Sequence, residues 1–148
     1  MTGSEPPGRA AHNRLMYGTI HPLHAVLLSG TVPLFLGVLL NDIAYFKTYE
    51  VQWKNFASWL IVGALVFTAV TLIWALIELI RAGRRATLRA VYVVLLLAIA
   101  VLGFVNALVH AGDAWASMPG GLVLSAIIML LVVAATWSGF ASSRRIEP

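Results

Sequence analysis

The stretch FASWLIVGALVFTAVTLIWALIELI, residues 56–80, runs for 25 residues with a single charged side chain, Glu78. A helix rising ~1.5 Å per residue needs ~20 apolar residues to cross ~30 Å of hydrocarbon, so this stretch is long enough to span a bilayer. Three further runs, Ala25 to Phe46, Leu88 to Val109 and Gly120 to Ser142, meet the same requirement, with short polar connectors between them. No water reaches the hydrocarbon to satisfy backbone amides, so each run must close its own hydrogen bonds as a helix. The short alternating segments of a membrane barrel are missing from the sequence. The expected fold is an all-α integral membrane protein, an antiparallel four-helix transmembrane bundle.

Outside the runs, the 148 residues hold too little chain for a soluble domain. The expected organisation is a flexible cytoplasmic leader over 1–17, a transmembrane domain over 18–143 and a short tail over 144–148. The leader mixes Gly, Pro and Ser with scattered charge. It does not read as a secretory signal, because the first apolar run starts late and exceeds a signal core in length. The absence of cysteine excludes disulfides, Cys-ligated iron–sulfur clusters and covalently attached c-type haem.

Eight of the ten basic residues (Arg9, Arg14, Arg81, Arg84, Arg85, Arg89, Arg144 and Arg145) fall on one face of the predicted topology, and Lys47 and Lys54 fall on the other. The positive-inside bias therefore places both termini in the cytoplasm of a bacterial inner membrane. Although the net charge is +4, the basic residues are spread over three membrane-edge segments. Anionic lipid headgroups, rather than nucleic acid, are the expected partners.

A helical step of ~100° puts His24, Thr31 and Asp42 within ~20° of one another on the first helix, with His21 about 60° away. Ala64, Thr68, Thr71 and Glu78 align on the second helix; Tyr92, Gly103, Asn106 and His110 on the third; Ser125, Met129, Val132, Thr136 and Gly139 on the fourth. Small and hydroxylated side chains on one stripe let membrane helices approach closely and bond to each other. Pro33 is the one residue expected to kink the first helix and blur its phase.

The topology sorts the ionisable groups into two layers. On the cytoplasmic side, His21, His24 and Glu78 form a candidate polar or metal site, since two histidines and a carboxylate suit zinc or iron. The plainer reading leaves the histidines among headgroups and pairs Glu78 with Arg81 or Arg85. On the outer side, Asp42, His110, Asp113, Asn41 and Asn106 form a candidate polar site. Here the intramembrane carboxylate demands a partner, and Asp42 and His110 sit at matching depth. This layer is either a self-satisfied interface or a proton-handling or ligand pocket. Trp53, Trp59 and Trp115 read as an aromatic rim that anchors the protein at the interface or walls a pocket for a quinone headgroup.

Several motifs together resemble a bacterial membrane family called domain of unknown function 2231. They are His21-Pro22-Leu23-His24, Asn41-Asp42, Trp53-Lys54-Asn55-Phe56-Ala57-Ser58-Trp59, and the run from Asn106 through His110 and Asp113 to Trp115. The resemblance covers nearly all of the chain after Tyr17. It implies a four-helix inner-membrane protein without an established reaction, some of whose relatives look like membrane partners of redox proteins, joined to a Rieske-type module or accompanying sugar-dehydrogenase-like proteins. Relatives also carry histidines where this chain reads Thr87-Leu88-Arg89 and Thr136-Trp137-Ser138-Gly139-Phe140. Haem ligands supplied by those positions elsewhere are missing here.

Three functions follow as expectations. The leading one is an anchor or subunit of a redox or quinone-linked complex, with a redox protein as partner and no stand-alone enzymatic activity. A small proton-linked transporter or channel comes second, and a membrane enzyme with a metal site third. Quinone, or a haem shared between copies in a homo-oligomer, is compatible with the residues. A bis-histidine haem within one protomer is disfavoured, because His24 and His110 lie roughly 25 Å apart along the helical rise.

Overall fold

The computed structural model describes residues 22–81, 86–112 and 115–144. The leader over 1–17, His21, Arg84, Arg85, Asp113 and Arg145 lie outside the described residues, as does the side chain of Trp115. Four long helices account for nearly everything described: α1 (Pro22–Thr48), α2 (Val51–Ile80), α3 (Ala86–Ala111) and α4 (Gly120–Arg144). A 3-10 turn, Trp115–Ser117, precedes α4. All four helices are long and apolar enough to cross a membrane, and no strand occurs among the described residues.

The helices outrun the apolar stretches by up to five residues at an end, so the connector expected between Lys47 and Asn55 shrinks to Tyr49 and Glu50. Hydropathy marks only the part of a helix that sits in hydrocarbon, whereas the backbone ladder continues into the interfacial zone. The tight link depends on Tyr49, whose φ of 57° lies in the left-handed region and whose N–H donates to the Tyr45 carbonyl at 2.7 Å. This bond closes an αL cap at a position that usually holds glycine. The Tyr49 ring packs edge-on against the buried Tyr45 at 6.1 Å.

Each helix packs on its chain neighbours, and α4 closes the ring against α1. With short links, consecutive helices run antiparallel, which makes α1 and α3 parallel across the diagonal. Leu28, Phe35, Leu96, Ile99, Ile128 and Val132 fill the middle of the bundle. A smaller cluster of Val38, Ala57 and Ile61 joins α1 to α2. Val66, Ile73, Leu97, Phe104 and Leu130 face outward, as expected where the solvent is lipid and helices are apolar all round. Despite Pro33, α1 runs unbroken, and His24, Thr31 and Asp42 are all buried on one face.

Two cations tie α2 to α3 at opposite ends. Lys54 Nζ, near the start of α2, donates to the Gly112 carbonyl just past α3 at 2.8 Å. Arg89 Nη1, near the start of α3, donates to the Glu78 carbonyl in the last turn of α2 at 3.0 Å. Each satisfies carbonyls that a helix C-terminus leaves without partners and complements its dipole.

Candidate functional site

Asp42 sits six residues before the end of α1, about 9 Å along the helix, where a lone carboxylate would be costly. Two other helices, α3 and α4, supply its partners. From α3, His110 Nε2 lies 2.8 Å from Asp42 Oδ1, with both side chains at 0 % exposure. From α4, Ser125 Oγ donates to Asp42 Oδ2 at 2.5 Å, and the Asn106 amide, again from α3, donates to Ser125 Oγ at 2.9 Å. The other imidazole nitrogen, His110 Nδ1, lies 2.9 Å from the Asn106 carbonyl oxygen.

These contacts fix the proton inventory. A carbonyl only accepts, so Nδ1 of His110 carries a hydrogen. Two facing lone pairs at 2.8 Å would repel, so a second proton lies between Nε2 and the Asp42 carboxyl. Whichever atom holds that proton, the pair has zero net charge, so the bundle buries no unpaired charge here. Gly121 allows the arrangement: a Cβ there would come within 2.9 Å of His110 Cε1, so the α4 backbone lies close against the imidazole.

Of the residues expected in this layer, Asp42, His110 and Asn106 come together. Asn41 does not join them, because its amide donates to the Gly37 carbonyl of its own helix at 2.7 Å. Asn41 Oδ1 and Asn106 Oδ1 are buried acceptors without a partner among the described residues. Trp59 is 71 % exposed on the outside of the bundle, and Trp53 packs edge-on against Phe56 at 6.2 Å. Sequence reasoning placed Ser125 on the inward stripe but missed its role. The available signal was its standing as the polar member of that stripe nearest the start of α4. Gly121 gave no signal in the sequence.

The other end is built differently. His24, in the first turn of α1, places Nε2 3.1 Å from the Tyr92 hydroxyl on α3. The rings meet edge-on at 5.9 Å, and Trp74 of α2 lies 6.1 Å from the imidazole. The Trp74 indole donates to Glu78 Oε1 at 2.9 Å. Gly139 of α4 backs the phenol, since a Cβ there would sit 3.3 Å from Tyr92 Cε2 and 2.9 Å from Leu28 Cδ2. His24 Nδ1 is buried with no partner among the described residues, a state that costs about 1–3 kcal/mol.

Glu78 does not pair with Arg81: among the described residues the one ion pair is His110–Asp42. The indole one turn back in α2 donates to a carboxylate oxygen, while Arg89 bonds the Glu78 backbone carbonyl. Among the described residues no three metal-ligating side chains converge. His24 is engaged by Tyr92 and Glu78 by Trp74, and His21 lies outside the described residues.

The two polar bridges share a geometry. Each joins α1 to the diagonally opposite α3, and each links residues 68 apart. Tyr92 and His110 are eighteen residues apart on α3, about 27 Å of rise. His24, bonded to Tyr92, is therefore too far from His110 for the two to hold one iron within a protomer.

No curated protein and no solved structure gives a significant match to the chain. The family model described as "Predicted membrane protein (DUF2231)" matches residues 20–146, a range that takes in all four spans and both polar bridges. The chain thus belongs to the DUF2231 family of membrane proteins.

Proposed function

We infer that the protein is an anchor or subunit of a redox or quinone-linked complex, seated in the bacterial inner membrane with both termini in the cytoplasm. The observation that carries the subunit reading is the layer between the two polar ends. Leu28, Phe35, Leu96, Ile99, Ile128 and Val132 fill it. The hydroxyls of Thr31, Thr68 and Thr71 are spent on carbonyls of their own helices at 2.6–2.7 Å. A proton-linked transporter needs polar stations near the midplane, and this protomer offers only bonded hydroxyls there. The redox half of the reading draws on the family resemblance, and the orientation draws on the eight-to-two division of basic residues.

Gentle detergent extraction from the native membrane, followed by affinity capture and a pigment spectrum, tests the reading. A co-purifying dehydrogenase or cytochrome is the expected result. A lone colourless oligomer that carries protons into liposomes would replace it with the transporter, whose stations would be Asp42, His110 and Glu78. Reporter fusions after Pro148 and within Met118-Pro119 should report opposite sides of the membrane. A periplasmic C-terminus would invert the orientation.

A further inference from the structure

His24 is 4 % exposed, yet one of its two ring nitrogens has no partner among the described residues. The hydrogen-bond count assigns the tautomer. All hydrogen bonding of the Tyr92 hydroxyl is to His24 Nε2. If the imidazole donated to the phenol oxygen, the phenol hydrogen and the Nδ1 lone pair would both be left unsatisfied. If the phenol donates to Nε2, a single group is left, an N–H at Nδ1. That N–H therefore calls for an acceptor. Glu78 does not fill it, because no carboxylate oxygen is within bonding reach of Nδ1 and Oε1 is held by the Trp74 indole.

We propose that the Nδ1–H of His24 anchors a binding site for the acceptor oxygen, carbonyl or phosphoryl, of a membrane amphiphile. His24 is the third residue of α1, which puts it at the level where a bilayer presents headgroup oxygens and quinone carbonyls. Its chain neighbours Leu23 and Val26 are 51 % and 62 % exposed, so this turn of α1 presents apolar side chains to the lipid in which an amphiphile is dissolved. Trp74 and Tyr92 flank the imidazole with aromatic faces and edges, and the Tyr92 hydroxyl sets Nδ1 as a donor.

The test uses the full chain with 15N-labelled histidine in dodecyl maltoside micelles. The His24 signals are assigned by their loss in His24→Gln. The expected spectrum shows the Nδ1-protonated tautomer, with an Nδ1 proton that moves downfield and saturates as phosphatidylglycerol or a short-chain benzoquinone is added. Tyr92→Phe removes the donor that holds the tautomer and should raise the half-saturation concentration about tenfold, equivalent to 1.4 kcal/mol. Saturation by the phospholipid alone identifies a lipid site and leaves the proposal standing even where the redox reading fails. Saturation by the quinone identifies a quinone site. Protonation at Nε2 in the unaltered protein, or an Nδ1 signal indifferent to both additives, overturns the proposal and needs no variant that folds.

Discussion

The two ends of the bundle solve the same problem to different degrees. At the Asp42 end, α3 and α4 each place a partner on one carboxylate of α1, and both imidazole nitrogens are engaged, while the Asn106 Oδ1 acceptor has no partner among the described residues. At the His24 end, one bond crosses the diagonal and a ring nitrogen is left over. A buried polar group in lipid has no water to fall back on. A carboxylate and an imidazole whose bonding atoms are all engaged therefore act mainly as a rigid fastening, while an imidazole with a donor left over has bonding capacity for a ligand.

The largest effect should come from opening the closed end. His110→Ala leaves Asp42 with Ser125 alone and without its charge partner, and should lower stability by about 3–5 kcal/mol, the usual cost of halving a buried pair. Thermal unfolding in detergent would measure it. Asp42→Asn should also destabilise, and the double variant should cost less than the sum, since the second change removes a group already deprived of its partner. Strict additivity would mean that the two residues act separately and would erase the contrast between the ends.

Glycine substitutions probe the same contrast through packing. Gly121→Ala drives a Cβ to 2.9 Å from an imidazole held by bonds at both nitrogens. About 1–3 kcal/mol of overpacking is expected. Gly139→Ala meets a Leu28 methyl at the same 2.9 Å, but that methyl ends a flexible side chain and can turn away. A smaller loss at Gly139 than at Gly121 supports the difference in rigidity, and equal losses would contradict it.

Tyr92→Phe removes one hydrogen bond at the open end and should cost about 0.5–1.5 kcal/mol, well below the His110→Ala loss. Trp59→Ala, on the lipid-facing exterior, sets the baseline at within ±0.5 kcal/mol. A Tyr92→Phe loss as large as that of His110→Ala would show the two ends to be equally committed.

The spans and their inward faces were legible in the sequence because hydropathy and a 3.6-residue period report the two constraints a bilayer imposes. His24, Thr31 and Asp42 align by arithmetic alone and are buried together in the structure. Helix ends were less legible, since the backbone ladder continues past the point where apolar composition stops, as Thr48 and Val51 show. Within the sites, depth and phase pointed to Asp42 opposite His110. The Ser125 bond depends on how α4 rotates against α1, which no single-helix pattern encodes. Trp74 lies one turn before Glu78, a spacing that could have identified it as that carboxylate's partner. Gly121 is meaningful only once the imidazole against it is known.

The common 68-residue offset of the two diagonal bridges makes α1 and α3 a matched pair of rulers. On each, the bridging residues are eighteen positions apart, which is five whole turns at 3.6 residues per turn. One residue inserted between His24 and Asp42 would turn everything beyond it by ~100° and move it ~1.5 Å, so α1 could meet one rung or the other but not both. Length in this bundle is thereby counted in turns. A change in α1 between the bridges can be offset only by the same change in α3, so the two helices would have to lengthen or shorten together.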